Sequence, residues 1–266
     1  MTERAICAAP AVGARNDPAL RLSEVGHAYQ GERWLFRKYS YDIPRGSVFS
    51  LLGPNGCGKT TLLKILLGGL QPTEGNTQTF DEMAFVPQLF QTAFDYTTLD
   101  MVLMGRAKKV GLFSQPSRKD EEAALAALAR FSLEHLANRP FHELSGGQRQ
   151  LVIFARALVA EARILILDEP ASALDLKNQG IVLQWIRRLA AQEGITVIFT
   201  THHPHHALAV ADLAALMLGG EDYVLGPAAT VLAEPELERL YGVPIRRLPF
   251  VHDGKQAETL VPVLTL

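Results

Sequence analysis

Cysteine is nearly absent from this chain: Cys7 and Cys57 are the two among 266 residues, far apart in sequence. A disulfide scaffold is therefore excluded, and the composition suits a reducing compartment in which a buried core carries the stability. Long apolar runs are absent too, none approaching the roughly 20 residues that cross a bilayer. The stretch Met1 to Pro18 is too weakly and brokenly apolar for a secretory signal and reads as a poorly ordered lead-in. Charge of one sign is also lacking. A formal net charge of −2 gives no electrostatic footprint for nucleic acid or an anionic membrane, so pairs such as Lys108-Lys109 and Arg246-Arg247 read as solvated faces. We find no internal repeat and no heptad run. What remains is a chain that is 48% hydrophobic, enough to bury one large α/β domain or two small ones.

The most informative stretch is Gly53-Pro54-Asn55-Gly56-Cys57-Gly58-Lys59-Thr60-Thr61, between the apolar run Val48 to Leu52 and the helix-like Leu62 to Leu67. A buried strand, a glycine-rich turn and a helix start are the context of a phosphate-binding loop. Its glycines let the backbone turn several N–H groups toward one polyphosphate, and the helix N-terminus adds partial positive charge. Lys59 is then placed to reach the β- and γ-phosphates. The Thr60 hydroxyl suits Mg²⁺, and Thr61 is placed to donate to the α-phosphate. The bland reading of these residues is a flexible loop.

Along the rest of the chain, Leu20 to Tyr29 and Trp34 to Ile43 read as strands joined at Gln30-Gly31-Glu32. Tyr29 is either a strand aromatic or a ring that stacks on adenine. Leu70 to Glu82 is polar and turn-rich, followed by a short strand, Met83 to Val86, and Gln88, which is a surface residue or one reaching the γ-phosphate edge. Phe90, Phe94 and Tyr96 precede a helix over Leu99 to Met104, and Arg118 to Arg130 reads as an amphipathic, solvent-facing helix. Ser145 is a natural N-cap for a helix running to about Ala160, but Gly146 and Gly147 just inside it lower its stability, which suggests close approach by an anion. Ile164 to Leu167 reads as a central parallel strand ending in Asp168-Glu169. Strand ends of this kind face ligands in α/β sheets, so Asp168 suits Mg²⁺ and Glu169 suits orienting or deprotonating a water. Ser172 to Asp175 is a turn, Leu176 to Glu193 an amphipathic helix closed by Gly194, and Thr196 to Thr200 a further strand. The run His202-His203-Pro204-His205-His206 lacks an acidic or cysteine partner at ligand spacing. His202 alone, at the strand end, could donate to a γ-phosphate oxygen. The region from Leu213 onward alternates short strands with a helix near Glu236 to Tyr241 and carries no chemistry that its residues identify.

Taken together, Gly53 to Thr60, Gln88, Leu144 to Gln148, Ile164 to Glu169, Ser172 to Asp175 and His202 resemble the nucleotide-binding subunit of ATP-binding cassette (ABC) transporters over roughly residues 20 to 245. The resemblance implies an α/β fold: a P-loop NTPase (RecA-like) core with a small antiparallel β-subdomain and an inserted α-helical subdomain. It implies a cassette over 19–250, with core about 19–88 and 161–230, helices about 89–160, and a tail at 251–266. Gly53 to Thr61 becomes the Walker A loop, Tyr29 the adenine-stacking aromatic, and Ser145, Gly146, Gly147 and Gln148 the signature. Asp175 falls in the D-loop beside the bound nucleotide. Lys59, Gln88, Glu169 and His202 become the catalytic set, with Thr60, Gln88 and Asp168 around Mg²⁺ and ATP as the nucleotide.

In that family two cassettes form a head-to-tail sandwich, the signature of one closing on the phosphate held by the other. A second copy of the chain is thus an implied partner, with membrane permease subunits, and a periplasmic or lipoprotein substrate-binding protein acting indirectly. No nucleic acid is implied. The implied place is the cytoplasmic face of the membrane, bound peripherally.

Val102 to Arg106 and Leu240 to Pro244 look like importers of iron–siderophore, haem or cobalamin. Phe85 to Phe90 with Phe94-Asp95-Tyr96 is more like the molybdate/tungstate cassette of the same group. The short Leu70 to Glu82 segment departs from the family, where a longer β extension is usual, and puts the β-subdomain contacts in doubt. A soluble cassette of translation or DNA repair, and a degenerate cassette acting as an ATP-bound clamp, stay open as alternatives.

Overall fold

The structure is a computed structural model describing residues 18–29, 34–88, 95–110, 115–172 and 174–263. The lead-in up to residue 17, the turn at 30–33, Phe90, Phe94 and Ala173 lie outside the described residues.

Strands β1 (Leu20–Ala28) and β2 (Trp34–Ile43) pair antiparallel, from Leu20↔Ile43 to Ala28↔Trp34. β3 (Val48–Leu52) is buried at every residue and feeds through the glycine-rich loop into α1 (Lys59–Leu66). β4 (Glu74–Thr79) then pairs with the other edge of β1, giving the antiparallel sheet β2-β1-β4. A strand here corrects the turn-rich reading of 70–82. Its sequence EGNTQT has no apolar alternation because most of its residues stay at the surface, so only the ladder supplied by β1 makes it a strand, context overriding local preference.

After β5 (Met83–Val86) come α2 (Thr98–Leu103), α3 (Arg118–Ala129) and α4 (Gly146–Val159). Each begins with a capping box, Thr97 with Asp100, Ser117 with Asp120 and Ser145 with Gln148, so orphan N–H groups at each start find side-chain acceptors. α3 is half-exposed as expected, while Ala124, Ala127 and Leu128 on its other side are buried and join Met101, Val102 and Phe154 in one core.

β6 (Ile164–Leu167), α5 (Leu176–Glu193), β7 (Thr196–Thr201), α6 (Pro204–Val210), β8 (Leu213–Gly219), β9 (Asp222–Pro227), α7 (Ala228–Val231) and α8 (Glu234–Tyr241) follow. The central sheet runs β5-β6-β7-β3-β8-β9, parallel except for β9. Alternate residues of its strands serve two cores. Phe49, Leu51, Ile164, Ile166 and Ile198 pack toward the antiparallel sheet and α1, whereas Val48, Leu52, Leu165, Leu167, Val197 and Phe199 pack with the helices. Strands buried on both faces are therefore continuous apolar runs. The consequence is that the turns after β3, β5, β6 and β7 all leave from one edge of the sheet.

The chain closes with the hairpin β10 (Ile245–His252) and β11 (Lys255–Pro262), paired from Ile245↔Pro262 to His252↔Lys255. The boundary expected at residue 250 thus falls inside a strand. No helix among the described residues is long and apolar enough to cross a membrane.

Gly105, at the turn after α2, sets how closely α2 approaches α4: a Cβ there would lie 2.0 Å from the Arg156 carbonyl oxygen. Neighbouring Arg106 then pairs with Asp120 of α3 at 2.8 Å and Glu161 at 2.6 Å. Gly105→Ala is expected to lower unfolding stability by about 1–3 kcal/mol through overpacking; a denaturant midpoint equal to wild type would contradict this account of the contact.

Candidate active site

The phosphate loop is shaped by its glycines. Gly58 caps α1 with φ +107° and no side-chain cap, a conformation that L-residues rarely adopt, and a Cβ there would press on Leu35 and Phe36 at 2.9 Å. The first N–H groups of α1 therefore receive no side-chain acceptor from the capping residue, as an anion site at a helix start requires. Lys59 is only 6% exposed. Its Nζ donates to the Gly53 carbonyl at 2.7 Å and the Pro54 carbonyl at 3.2 Å and lies 3.6 Å from Glu169 Oε1. A buried ammonium held by loop carbonyls can exchange these partners for phosphate oxygens. The Cys57 thiol beside it is pushed up by burial, so it is not an activated nucleophile.

Across from the loop, the end of β6 presents two carboxylates. Asp168 is 6% exposed and accepts from Thr60 Oγ1 at 3.1 Å and from Thr200 Oγ1 at 2.7 Å. Thr200 Oγ1 in turn accepts the Glu169 N–H at 2.8 Å. That bond steadies a strained residue, since Glu169 has φ +45°, a left-handed conformation that in a non-glycine residue is costly and tends to mark functional sites. Glu169 Oε2 lies 2.9 Å from His202 Nδ1 and 3.3 Å from Gln88 Nε2, and Gln88 also donates to Ser172 Oγ at 3.2 Å. Lys59, Thr60, Gln88, Asp168, Glu169 and His202, six of the sequence-derived residues, thus form one contiguous polar cluster.

Thr200 and Ser172 join the same cluster without having been singled out from the sequence. For Thr200 the signal was present: a hydroxyl in a strand buried at every position must find a partner. Thr60 Oγ1 and Asp168 Oδ2 make a hard-oxygen pair of the kind Mg²⁺ prefers, and the residues present fit both Mg²⁺ and a nucleotide polyphosphate. Gln88, named from the family as a further metal ligand, bonds here to Glu169 and Ser172.

Tyr29 stands at the loop's flank, 55% exposed, with its hydroxyl 3.0 Å from Thr61 Oγ1. Ser145 and Gln148 are bonded to each other, Gln148 N to Ser145 Oγ at 3.3 Å and Ser145 N to Gln148 Oε1 at 3.0 Å. The two glycines between them differ. A Cβ at Gly147 would meet Asn178 Nδ2 at 2.4 Å, whereas one at Gly146 meets nothing within 4 Å. Close packing against α5 therefore accounts for the missing side chain at Gly147, whereas Gly146 faces open space. Asp175 caps α5 by accepting from Asn178 N at 2.8 Å. Among the histidines, His206 is buried and 3.3 Å from Gln179; burial and its histidine neighbours push its pKa down to about 4. Burial also lowers His203 and His205. Among the described residues no group of three or more His, Cys, Asp or Glu side chains is arranged to hold a metal ion.

A family profile described as ABC transporter matches residues 36–172. The chain is 42% identical over 227 residues to the molybdate import ATP-binding protein MolC of Haemophilus influenzae, covering 85% of this chain and 89% of that protein. A metal-chelate type ABC transporter solved in an inward-facing conformation superposes with a TM-score of 0.89 at 38% identity, covering 93% of this chain and 98% of that one. A dimeric ATP-binding cassette in a post-hydrolysis state, bound to ADP and Pi, superposes at 0.70 with 27% identity, covering 79% and 98%.

Because the Thr200 hydroxyl serves Asp168 Oδ1 and the Glu169 N–H together, Thr200→Val removes it with little change of shape and takes this partner from both. Denaturant unfolding is expected to show a loss of about 1–3 kcal/mol; a midpoint equal to that of wild type would refute the bridging role.

Proposed function

The chain belongs to the ABC transporter family, and on that premise we propose that it is the ATP-hydrolysing subunit of a binding-protein-dependent importer of metal chelates or oxyanions. The observation that carries the reading is the polar cluster in which Lys59, Gln88 and His202 all converge on Glu169. Its likeness to a molybdate import protein and to a metal-chelate transporter supports the cargo class. The permease docks on the region from Gln88 to Arg106, where Tyr96 and its neighbouring aromatics would form a groove for a permease helix. The chain's place is then the cytoplasmic face of the membrane.

In this reading Lys59 releases the Gly53 and Pro54 carbonyls and takes the β- and γ-phosphate oxygens of ATP, its substrate. Tyr29 stacks on the adenine, and Thr61 assists at the α-phosphate. Thr60 and Asp168 hold Mg²⁺, which when bound neutralises charge on the phosphate oxygens. Glu169 orients the attacking water and accepts its proton. His202 shares the Glu169 Oε2 atom through Nδ1 and holds that carboxylate in place, and Gln88 senses the same atom from the β5 edge.

The signature serves a second copy of the chain. The capping box uses the Ser145 hydroxyl and the Gln148 N–H, so the N–H groups of Gly146 and Gly147 have no acceptor within the helix. Offered across a head-to-tail dimer, they complete the phosphate site of the partner, an arrangement supported by the dimeric cassette that this chain resembles. The γ-phosphate then bridges the two copies, and its hydrolysis lets them part.

The reading is tested by ATP turnover of the subunit with its permease in lipid, adding binding protein loaded in turn with molybdate, tungstate, ferric siderophore, haem or cobalamin. Stimulation by one of them is expected; turnover indifferent to all would reject the importer assignment. Glu169→Gln is expected to reduce hydrolysis by about 10²–10⁴-fold, the range for loss of a general base, while ATP still binds and a dimer accumulates in size-exclusion chromatography. ATP-loaded protein that stays monomeric would speak against the bridging phosphate. Lys59→Ala removes a charge-assisted contact and is expected to weaken ATP binding about ten- to a hundred-fold; unchanged affinity in a titration would sink the phosphate-loop assignment.

A further inference from the structure

His206 and Gln179 have no part in the chemistry above, yet they join two of its elements. His206 lies one turn into α6, the helix that starts immediately beyond His202, and is 3% exposed. Its ring meets those of His203 and His205 at centroid distances of 4.9 and 4.4 Å, so it is packed on one side by the turn that carries His202. On the other side its Nε2 lies 3.3 Å from Gln179 Oε1. Gln179 Nε2 donates to the Leu174 carbonyl at 2.9 Å. Because the amide nitrogen is committed to that carbonyl, the end facing His206 is the acceptor oxygen, and His206 Nε2 must carry the hydrogen. Burial keeps the ring uncharged at neutral pH, with its pKa down at about 4, so the donor is a neutral N–H on a single defined tautomer.

The Leu174 carbonyl belongs to the loop that leaves Glu169. Ser172 Oγ donates to the Glu169 carbonyl at 3.0 Å and receives the Gln88 amide at 3.2 Å, and Asp175 caps α5 through Asn178 N at 2.8 Å. The Asn178 side chain in turn lies beneath Gly147 of the signature helix. Leu174 O is thus the point where this loop is fixed from the His202 side.

We propose that the His206–Gln179 pair is a positioning brace, which holds Leu174 in register with the His202 turn so that Glu169 and the signature helix are presented together for ATP hydrolysis. The inference rests on the ATPase reading above. Neither residue touches the reacting atoms; both act through Leu174 O. A change at the His202 turn is passed through His206 and Gln179 to the loop and, through Asn178, to the signature helix.

The test is steady-state ATP turnover of the full chain with its permease, alongside ATP binding and thermal unfolding. His206→Leu and Gln179→Leu are each expected to lower kcat about ten-fold with KM for ATP within two-fold of wild type, since misplacement affects the chemical step more than the binding of nucleotide. The double variant is expected to be no slower than the slower single, because the two residues form one connection. His206→Gln, which restores an N–H donor toward Gln179 Oε1, is expected to recover most of the lost kcat. If His206→Leu fails to fold, Gln179→Glu supplies the test: it keeps an acceptor for His206 but takes the hydrogen from Leu174 O, and should lose kcat as Gln179→Leu does. Wild-type kcat in the folded variants, a raised KM with kcat intact, or no recovery in His206→Gln would overturn the brace. A wild-type chain that neither binds nor hydrolyses ATP would instead overturn the reading beneath it, a result distinct from active wild type matched by its variants.

Discussion

The site depends on a carboxylate that must be satisfied where water scarcely reaches. Asp168 stands at the end of a strand buried at all four positions, and an ionised group in such a place is tolerable only with close hydrogen bonds. Thr60 and Thr200 provide them, and they come from the helix after β3 and from β7. One requirement of solvation therefore fixes three neighbouring segments of the sheet edge relative to each other. The rest of the site follows from that registration. Thr200, once bound to Asp168, also holds the Glu169 N–H, and Glu169 in its left-handed conformation then meets Gln88, His202 and Lys59.

The parts of this arrangement that could be read from the sequence are those whose physics is local. β2, β3, β5 and β6 fall where their apolar runs place them, and Gly194 ends α5 in a left-handed C-cap. Ser145 caps α4 as its residue type suggests. β4 was not legible, because its strand character is lent by β1, fifty residues earlier. For Thr200 the buried hydroxyl signalled that a partner exists, but only the fold shows that the partner is Asp168. The close packing of Gly147 was not legible either, since its neighbour Asn178 stands on another helix. Asp175 has a family role that its residue type alone does not reveal, and in the single chain it does the nearer job of capping α5.

A single copy of the chain holds these groups unevenly. The loop, the carboxylates and His202 meet at one edge of the sheet, while the signature spends its side chains on its own helix start and leaves Gly146 facing open space. A helix start whose N–H groups face open space is of little use within one copy, but in the proposed dimer it would complete an anion site on the second copy. The central claim is therefore that each working site is shared between two copies.

Mixing two inactive forms measures this directly. A chain with Lys59→Ala and a chain with Ser145→Arg are each combined with permease, separately and together, and ATP turnover is followed as a function of their ratio. If the site is shared, mixed pairs contain one site with both defects and one with neither, so activity reaches a maximum near equal proportions. Activity that stays at the level of the inactive parents at every ratio would place both groups in one chain's own site and contradict the account.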